Sequence, residues 1–114
     1  MRSFDLTTAQ HGGVTLVAVS GSVDAVTAPR LAEALETAVT AGQTRIVVDL
    51  GGVGYASSAA LRALLAGVKG ARAGAGDLRI AAVQADVAKV FELAGFGGIV
   101  QSFSDSTEAV ASFA

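Results

Sequence analysis

The chain has 114 residues, enough for one domain with a real core, and it carries a net charge of −2 with 52% hydrophobic and 16% charged residues. It has no cysteine, which excludes disulfides, thiolate catalysis and cysteine-held zinc, and no Lys/Arg cluster of the kind that nucleic-acid binding needs. No apolar run approaches the roughly 20 residues that cross a bilayer, and the first eight residues lack a signal-peptide core, so direct membrane insertion is not expected and the expected location is the cytoplasm.

Residues 3–8 and 14–20 read as two strands, joined by the Gln10-His11-Gly12-Gly13 turn of a hairpin. Gly21-Ser22-Val23-Asp24 reads as a loop, and Thr27 as the cap of a helix with Pro29 in its first turn. Leu31, Leu35 and Val39 recur at helical spacing before Gly42 closes the segment. The apolar run at 44–50 suits a central strand, and Gly51-Gly52-Val53-Gly54 a second loop. Leu61, Leu64, Leu65 and Val68 mark the buried stripe of a second helix, which Gly74-Ala75-Gly76-Asp77 ends. A strand is expected from Leu78 to Val83, then a third helix through Val87, Val90, Phe91 and Ala94, stopped by Gly95. Ile99 to Phe103 make a short last strand, and Ser104 or Ser106 starts a closing helix through Ala109, Val110 and Phe113. The order β-β-α-β-α-β-α-β-α predicts one α/β domain over residues 1–114, with about four helices on a mostly parallel sheet of four to five strands.

Chemistry concentrates between Asp49 and Arg62, where the chain runs from strand through loop to helix start. That is where α/β sheets present ligands. A nucleotide loop is poorly supported: Ser57 stands where a dinucleotide fingerprint needs its third glycine, and no Lys-Ser/Thr pair follows Gly54. Serine catalysis lacks a base, because the one histidine, His11, belongs to the first hairpin turn. With no base or oxyanion site legible, an enzyme is not expected, and nothing implies a metal or cofactor. Ser57 or Ser58 reads as an ordinary N-cap, the commoner role for serine at a helix start. Phosphorylation is the other reading. A phosphate there would meet unpaired N–H groups and bring about 1.5 to 2 negative charges to a surface of small neutral residues. Spacing alone leaves both open. Asp49 reads as an acceptor for loop N–H groups, Tyr55 as a partly buried loop aromatic, and Arg62 as a solvated cation able to meet a phosphate or a partner acid.

Four stretches carry a resemblance over nearly the whole chain: Gly21-Ser22-Val23-Asp24, Ile46-Val47-Val48-Asp49-Leu50, the helix head from Tyr55 to Arg62, and Val90-Phe91-Glu92-Leu93-Ala94-Gly95-Phe96. In that order and spacing they resemble the STAS family, the bacterial anti-sigma factor antagonists. The family shows Gly-x-x-Asp after its second strand, Asp/Ser-Ser-x-Gly-Leu at a helix head, and Phe-Glu-Leu-x-Gly late in the chain.

The resemblance implies a STAS-type domain and a partner switch. The unphosphorylated antagonist binds an anti-sigma factor that is also a serine kinase, which frees a sigma factor; phosphorylation ends the complex and a serine phosphatase resets it. It assigns Ser58 as the phosphoacceptor and Asp24, Tyr55, Ser57, Ser58, Ala59 and Arg62 as partner contacts, with Asp24 placed to position the kinase or repel the phosphate. Two positions depart from the pattern. Ser57 replaces a common Asp, and Ala60 replaces Gly, whose added methyl is expected to crowd a closely approaching partner. The rival implication is a lone STAS subunit of an ABC-type membrane transport complex, never phosphorylated; the serine at position 58 weighs against it. A monomer or weak dimer is expected.

Overall fold

Gly12 and Gly13 both take positive φ (56° and 85°), as a two-residue type I′ turn requires, and join β1 (Phe4–His11) to β2 (Val14–Val23) as an antiparallel hairpin. Gln10 and His11 therefore end β1 rather than form the turn. β3 (Arg45–Ala56), β4 (Asp77–Ala81) and β5 (Ser102–Phe103) add in parallel, giving a five-stranded sheet ordered β1-β2-β3-β4-β5. The helices are α1 (Ala28–Thr40), α2 (Ser58–Ala73), α3 (Ala85–Leu93) and α4 (Ser106–Ala111). This is the expected α/β architecture. The computed structural model describes residues 3–114; Met1 and Arg2, part of the expected domain and of its N-terminal stretch, lie outside the described residues.

The two segments read as loops are strand. β2 continues through Gly21-Ser22-Val23, and β3 continues through Gly51-Gly52-Val53-Gly54 to Ala56. The reason is visible in the register. β3 pairs regularly with β2 up to Asp49, then slips between Ala18 and Ser20 and again between Gly21 and Ser22. Each slip spends an extra β3 residue, as β-bulges do, and glycine tolerates the bend. Core-facing residues on β3 accordingly fall at Ile46, Val48 and Leu50, then at Val53 and Ala56. A period of two becomes a period of three, so the run does not look like a strand. Gly52 is also a point of close approach: a Cβ there would lie 2.5 Å from Ser20 Cβ.

α1, α2 and α3 cover one face of the sheet, with Leu31, Leu35, Leu64, Val68, Val87 and Phe91 buried against it. Burying side chains of this kind contributes about 1.5–3 kcal/mol each. In α1 the buried place goes to Ala38, while Val39 packs at the margin. In α3 Ala94 is an exposed C-cap; Gly95 (φ 72°) turns the chain and Phe96 packs edge-on to Phe91, ring centroids 5.2 Å apart. β4 stops at Ala81 because Ala82 takes φ 58°, and the last strand is only Ser102–Phe103. α4 covers the other face over Val14, Val47 and Ala81. Its cap is Asp105, which accepts from Glu108 N–H at 2.8 Å, rather than Ser104 or Ser106; the Ser104 hydroxyl instead donates to the Glu108 carboxylate at 2.6 Å. No helix among the described residues is long and apolar enough to cross a membrane.

Candidate functional site

β3 ends at Ala56 and turns directly into α2, with Ser57 holding the corner. The Ser57 N–H donates to the Val23 carbonyl at 2.9 Å, and its Oγ accepts from the Ala59 N–H at 3.2 Å. Ser57 is thus the N-cap, in extended conformation (φ −93°, ψ 179°), and Ser58 is the first residue of the helix. Two adjacent serines hold different positions. Ser57 is half-buried with its oxygen engaged; Ser58 is exposed, and among the described residues its hydroxyl makes no hydrogen bond.

The Val23–Ser57 hydrogen bond sets the β2–α1 connection beside the head of α2. Thr27 stands at the expected N-cap position of α1, but it is itself helical (φ −96°, ψ −25°) and makes no side-chain cap bond. Asp24 ties the turn that leads into it. Its Oδ1 accepts from the N–H groups of Val26 and Thr27 at 3.0 and 3.1 Å, while Thr27 Oγ1 donates to the Ser22 carbonyl at 2.8 Å and accepts from Asp24 N–H at 2.9 Å. The acid of the Gly-x-x-Asp stretch thus shapes the loop that faces Ser57. Asp24→Ala is expected to lower stability by about 1 kcal/mol in urea unfolding, and Asp24→Asn, which keeps Oδ1, by much less. A binding loss in Asp24→Asn then reports the carboxylate rather than the turn.

Tyr55 lies on β3, opposite Ser22, and is 45% exposed rather than tucked into a loop. Ala59 is half-buried, and Arg62 is exposed four residues after Ser58, on the same side of α2. Arg62 makes no hydrogen bond or ion pair among the described residues. The structure brings Asp24, Tyr55, Ser57, Ser58, Ala59 and Arg62 to one end of the β2–β3 pair and the helix head that follows it. Ala60 behaves otherwise: it is 2% exposed and faces the core, so its methyl crowds no partner, and Ala56 is buried too. Asp49 stays apart from the serines, accepting from Gly51 N–H at 2.8 Å at the first bulge. Gln84 Nε2 braces the same bulge by donating to the Gly51 carbonyl at 2.8 Å. His11 sits against Val14, at the opposite end of β2 from Val23, so no imidazole stands beside either serine.

One exposed apolar side chain has no sequence signature of a surface role. Val26, in the loop tied by Asp24, is 84% exposed, the side of a β-branched hydrocarbon held out to water next to the Ser57 corner. Its only sequence signal is an apolar residue inside a turn segment, with no period connecting it to a core face.

A family model described as "Mlab, STAS domain" matches residues 6–101. BtrV of Bordetella bronchiseptica, assigned as an anti-sigma factor antagonist, is 33% identical over 108 residues, 95% of this chain and 93% of its own length. RsfB of Mycobacterium tuberculosis, an anti-sigma-F factor antagonist, is 36% identical over 64 residues, 56% of this chain and 52% of its own length. The crystal structure of an anti-sigma factor antagonist from Mycobacterium paratuberculosis superposes with a TM-score of 0.88 at 26% identity, covering 96% of this chain and 93% of that one. A match of this extent in sequence, and the same sheet and helices in space, leave one assignment: the chain belongs to the STAS domain family, among relatives that are anti-sigma factor antagonists.

Proposed function

We propose that this chain is an anti-sigma factor antagonist whose unphosphorylated form binds a kinase-type anti-sigma factor and frees a sigma factor, and that phosphorylation of Ser58 ends the complex. The observation that carries the reading is the contrast between the two serines. Ser57 Oγ is engaged in capping α2, so modifying it would cost the cap, about 1 kcal/mol. Ser58 offers an exposed hydroxyl on the first helical residue, where a phosphate leaves the fold's own hydrogen bonds intact. Asp24, Val26, Tyr55, Ala59 and Arg62 form the surface around it, and a serine phosphatase would restore the binding form.

The test is incubation with ATP and each kinase-type anti-sigma factor of the source genome, followed by intact mass measurement and site mapping. One added phosphate on Ser58, absent in Ser58→Ala, is the expected result. A phosphate on Ser57, or none with a kinase that binds the chain, defeats the assignment. Retention instead by the ATPase subunit of a transporter, with no phosphate, would select the transport-subunit reading.

The same surface gives a binding prediction. Val26→Glu is expected to weaken the anti-sigma complex at least tenfold, about 1.4 kcal/mol. Its urea midpoint should match wild type, because a side chain 84% exposed contributes little to the core.

A further inference from the structure

β1 closes one side of the sheet, and among the described residues nothing pairs with its outer edge. It is long for an edge strand, eight residues, with no proline, no lysine and no bulge in its ladder with β2, and Asp5 is its one acidic residue. β5, the opposite edge, has two residues. We propose that a second copy of this chain pairs with β1 in antiparallel fashion about a twofold axis at Thr8, joining two five-stranded sheets into one.

The hairpin fixes which backbone groups are available. In the type I′ turn the His11 carbonyl accepts from Val14 N–H, so these two residues are a hydrogen-bonded pair of the ladder. Alternation then turns the N–H and C=O groups of Asp5, Thr7, Ala9 and His11 toward β2, and those of Phe4, Leu6, Thr8 and Gln10 outward. A twofold contact has to place outward residues opposite outward residues. Centred on Thr8, Leu6 of one copy exchanges backbone hydrogen bonds with Gln10 of the other.

Side-chain complementarity selects this register from its neighbours. With the axis at Thr8, the Asp5 carboxylate of each copy lies directly opposite His11 of the other, and Thr7 opposite Ala9. With the axis at Thr7 or at Ala9, Asp5 would face Ala9 or Gly13 and the pair would be lost. Asp5 and His11 are both exposed in the isolated chain, so neither gives up a described partner to make the contact. A carboxylate directly opposite an imidazole N–H donor favours pairing, and here the twofold supplies the contact twice. Ser58 follows β3, two strands in from this edge, so both switch serines of the pair stay open.

Sedimentation of the full chain from micromolar to about 1 mM concentration tests the pairing. Mass is expected to rise from monomer to dimer. Hydrogen exchange at Leu6, Thr8 and Gln10 should slow as concentration rises, while Asp5, Thr7 and Ala9, already bonded to β2, stay slow throughout. Thr8→Pro removes an outward N–H that the β2 ladder does not use, and should leave a folded monomer. Should Thr8→Pro fail to fold, charge exchange decides: Asp5→Lys is expected to weaken association at least about fivefold, and Asp5→Lys with His11→Asp to restore it. A monomer at every concentration overturns the proposal. So does a dimer that neither Thr8→Pro nor Asp5→Lys weakens, or one in which the Leu6, Thr8 and Gln10 amides exchange as fast as in the monomer.

Discussion

Ser58→Asp is expected to weaken the complex with the anti-sigma factor about 100-fold, whereas Ser58→Ala should bind as wild type does and no longer be released when ATP is supplied. A hundredfold loss corresponds to about 2.8 kcal/mol, a modest figure for a carboxylate moved from water into an interface without a matched cation. The serine hydroxyl pays no such penalty, being neutral and small. The second half of the prediction concerns stability. Ser58 is the first residue of α2, next to the unpaired N–H groups of a sixteen-residue helix. A negative charge there is favourable by about 0.3–1 kcal/mol, and Arg62, one turn on, can share it. The urea midpoint of Ser58→Asp, and of the phosphorylated chain, should therefore equal or exceed that of the wild type while binding falls. Loss of binding together with loss of stability would mean that the switch works by loosening the domain. Calorimetry showing Ser58→Asp bound as tightly as wild type by every partner would leave Ser58 without a switching role.

Those expectations rest on a helix head whose existence was legible in the sequence and whose division of labour was not. The stripe of Leu61, Leu64 and Val68 fixes α2 by its helical period, and the apolar runs at 14–20 and 44–50 fix the sheet because they are long enough to be strands covered on both faces. Periodicity carries no information about which of two serines caps. That depends on the backbone path out of β3, and the path depends on two bulges opposite Ala18/Ser20 and Gly21/Ser22. The same bulges hid the second half of β3 behind Gly51-Gly52-Val53-Gly54, since glycine-rich, irregularly spaced residues look like a loop when the partner strand is unseen. Thr27 holds the expected N-cap position, but its side-chain role was hidden for a related reason. A helix start preceded by both Asp and Thr offers two acceptors, and only the path of the loop from Ser22 decides that Asp24 ties the turn and Thr27 bonds back to the strand. The resemblance located the switch, and the hydrogen bonds assign its parts.

A large loss of stability is expected from one methyl group at Gly76, and an opposite change from removing one at Ala75. α1 and α2 end in the same way. In α1, Gly42 takes φ 80°, and the N–H groups of Gly42 and Gln43 close back onto the carbonyls of Val39 and Ala38. In α2, the N–H groups of Ala75 and Gly76 close onto Arg72 and Ala71, so the left-handed position falls on Ala75, at φ 64°. An alanine held there costs about 1 kcal/mol relative to glycine. Ala75→Gly should therefore stabilise the domain, by a few tenths of a kcal/mol after the added freedom of the unfolded chain is counted. Gly76 needs no positive φ, yet it is the glycine that matters. A Cβ at that position would lie 1.9 Å from the Thr44 carbonyl oxygen, the same oxygen that accepts from Asp77 N–H at 2.9 Å to start the pairing of β3 with β4. The obstruction is backbone on both sides, so no rotamer change relieves it. Gly76→Ala is expected to cost about 3 kcal/mol or more and to shift the urea midpoint down, whereas Ala75→Gly shifts it up. Equal midpoints for the two variants would mean that the α2–β4 connection yields easily, and that the close approach of Gly76 to Thr44 does not constrain the sheet.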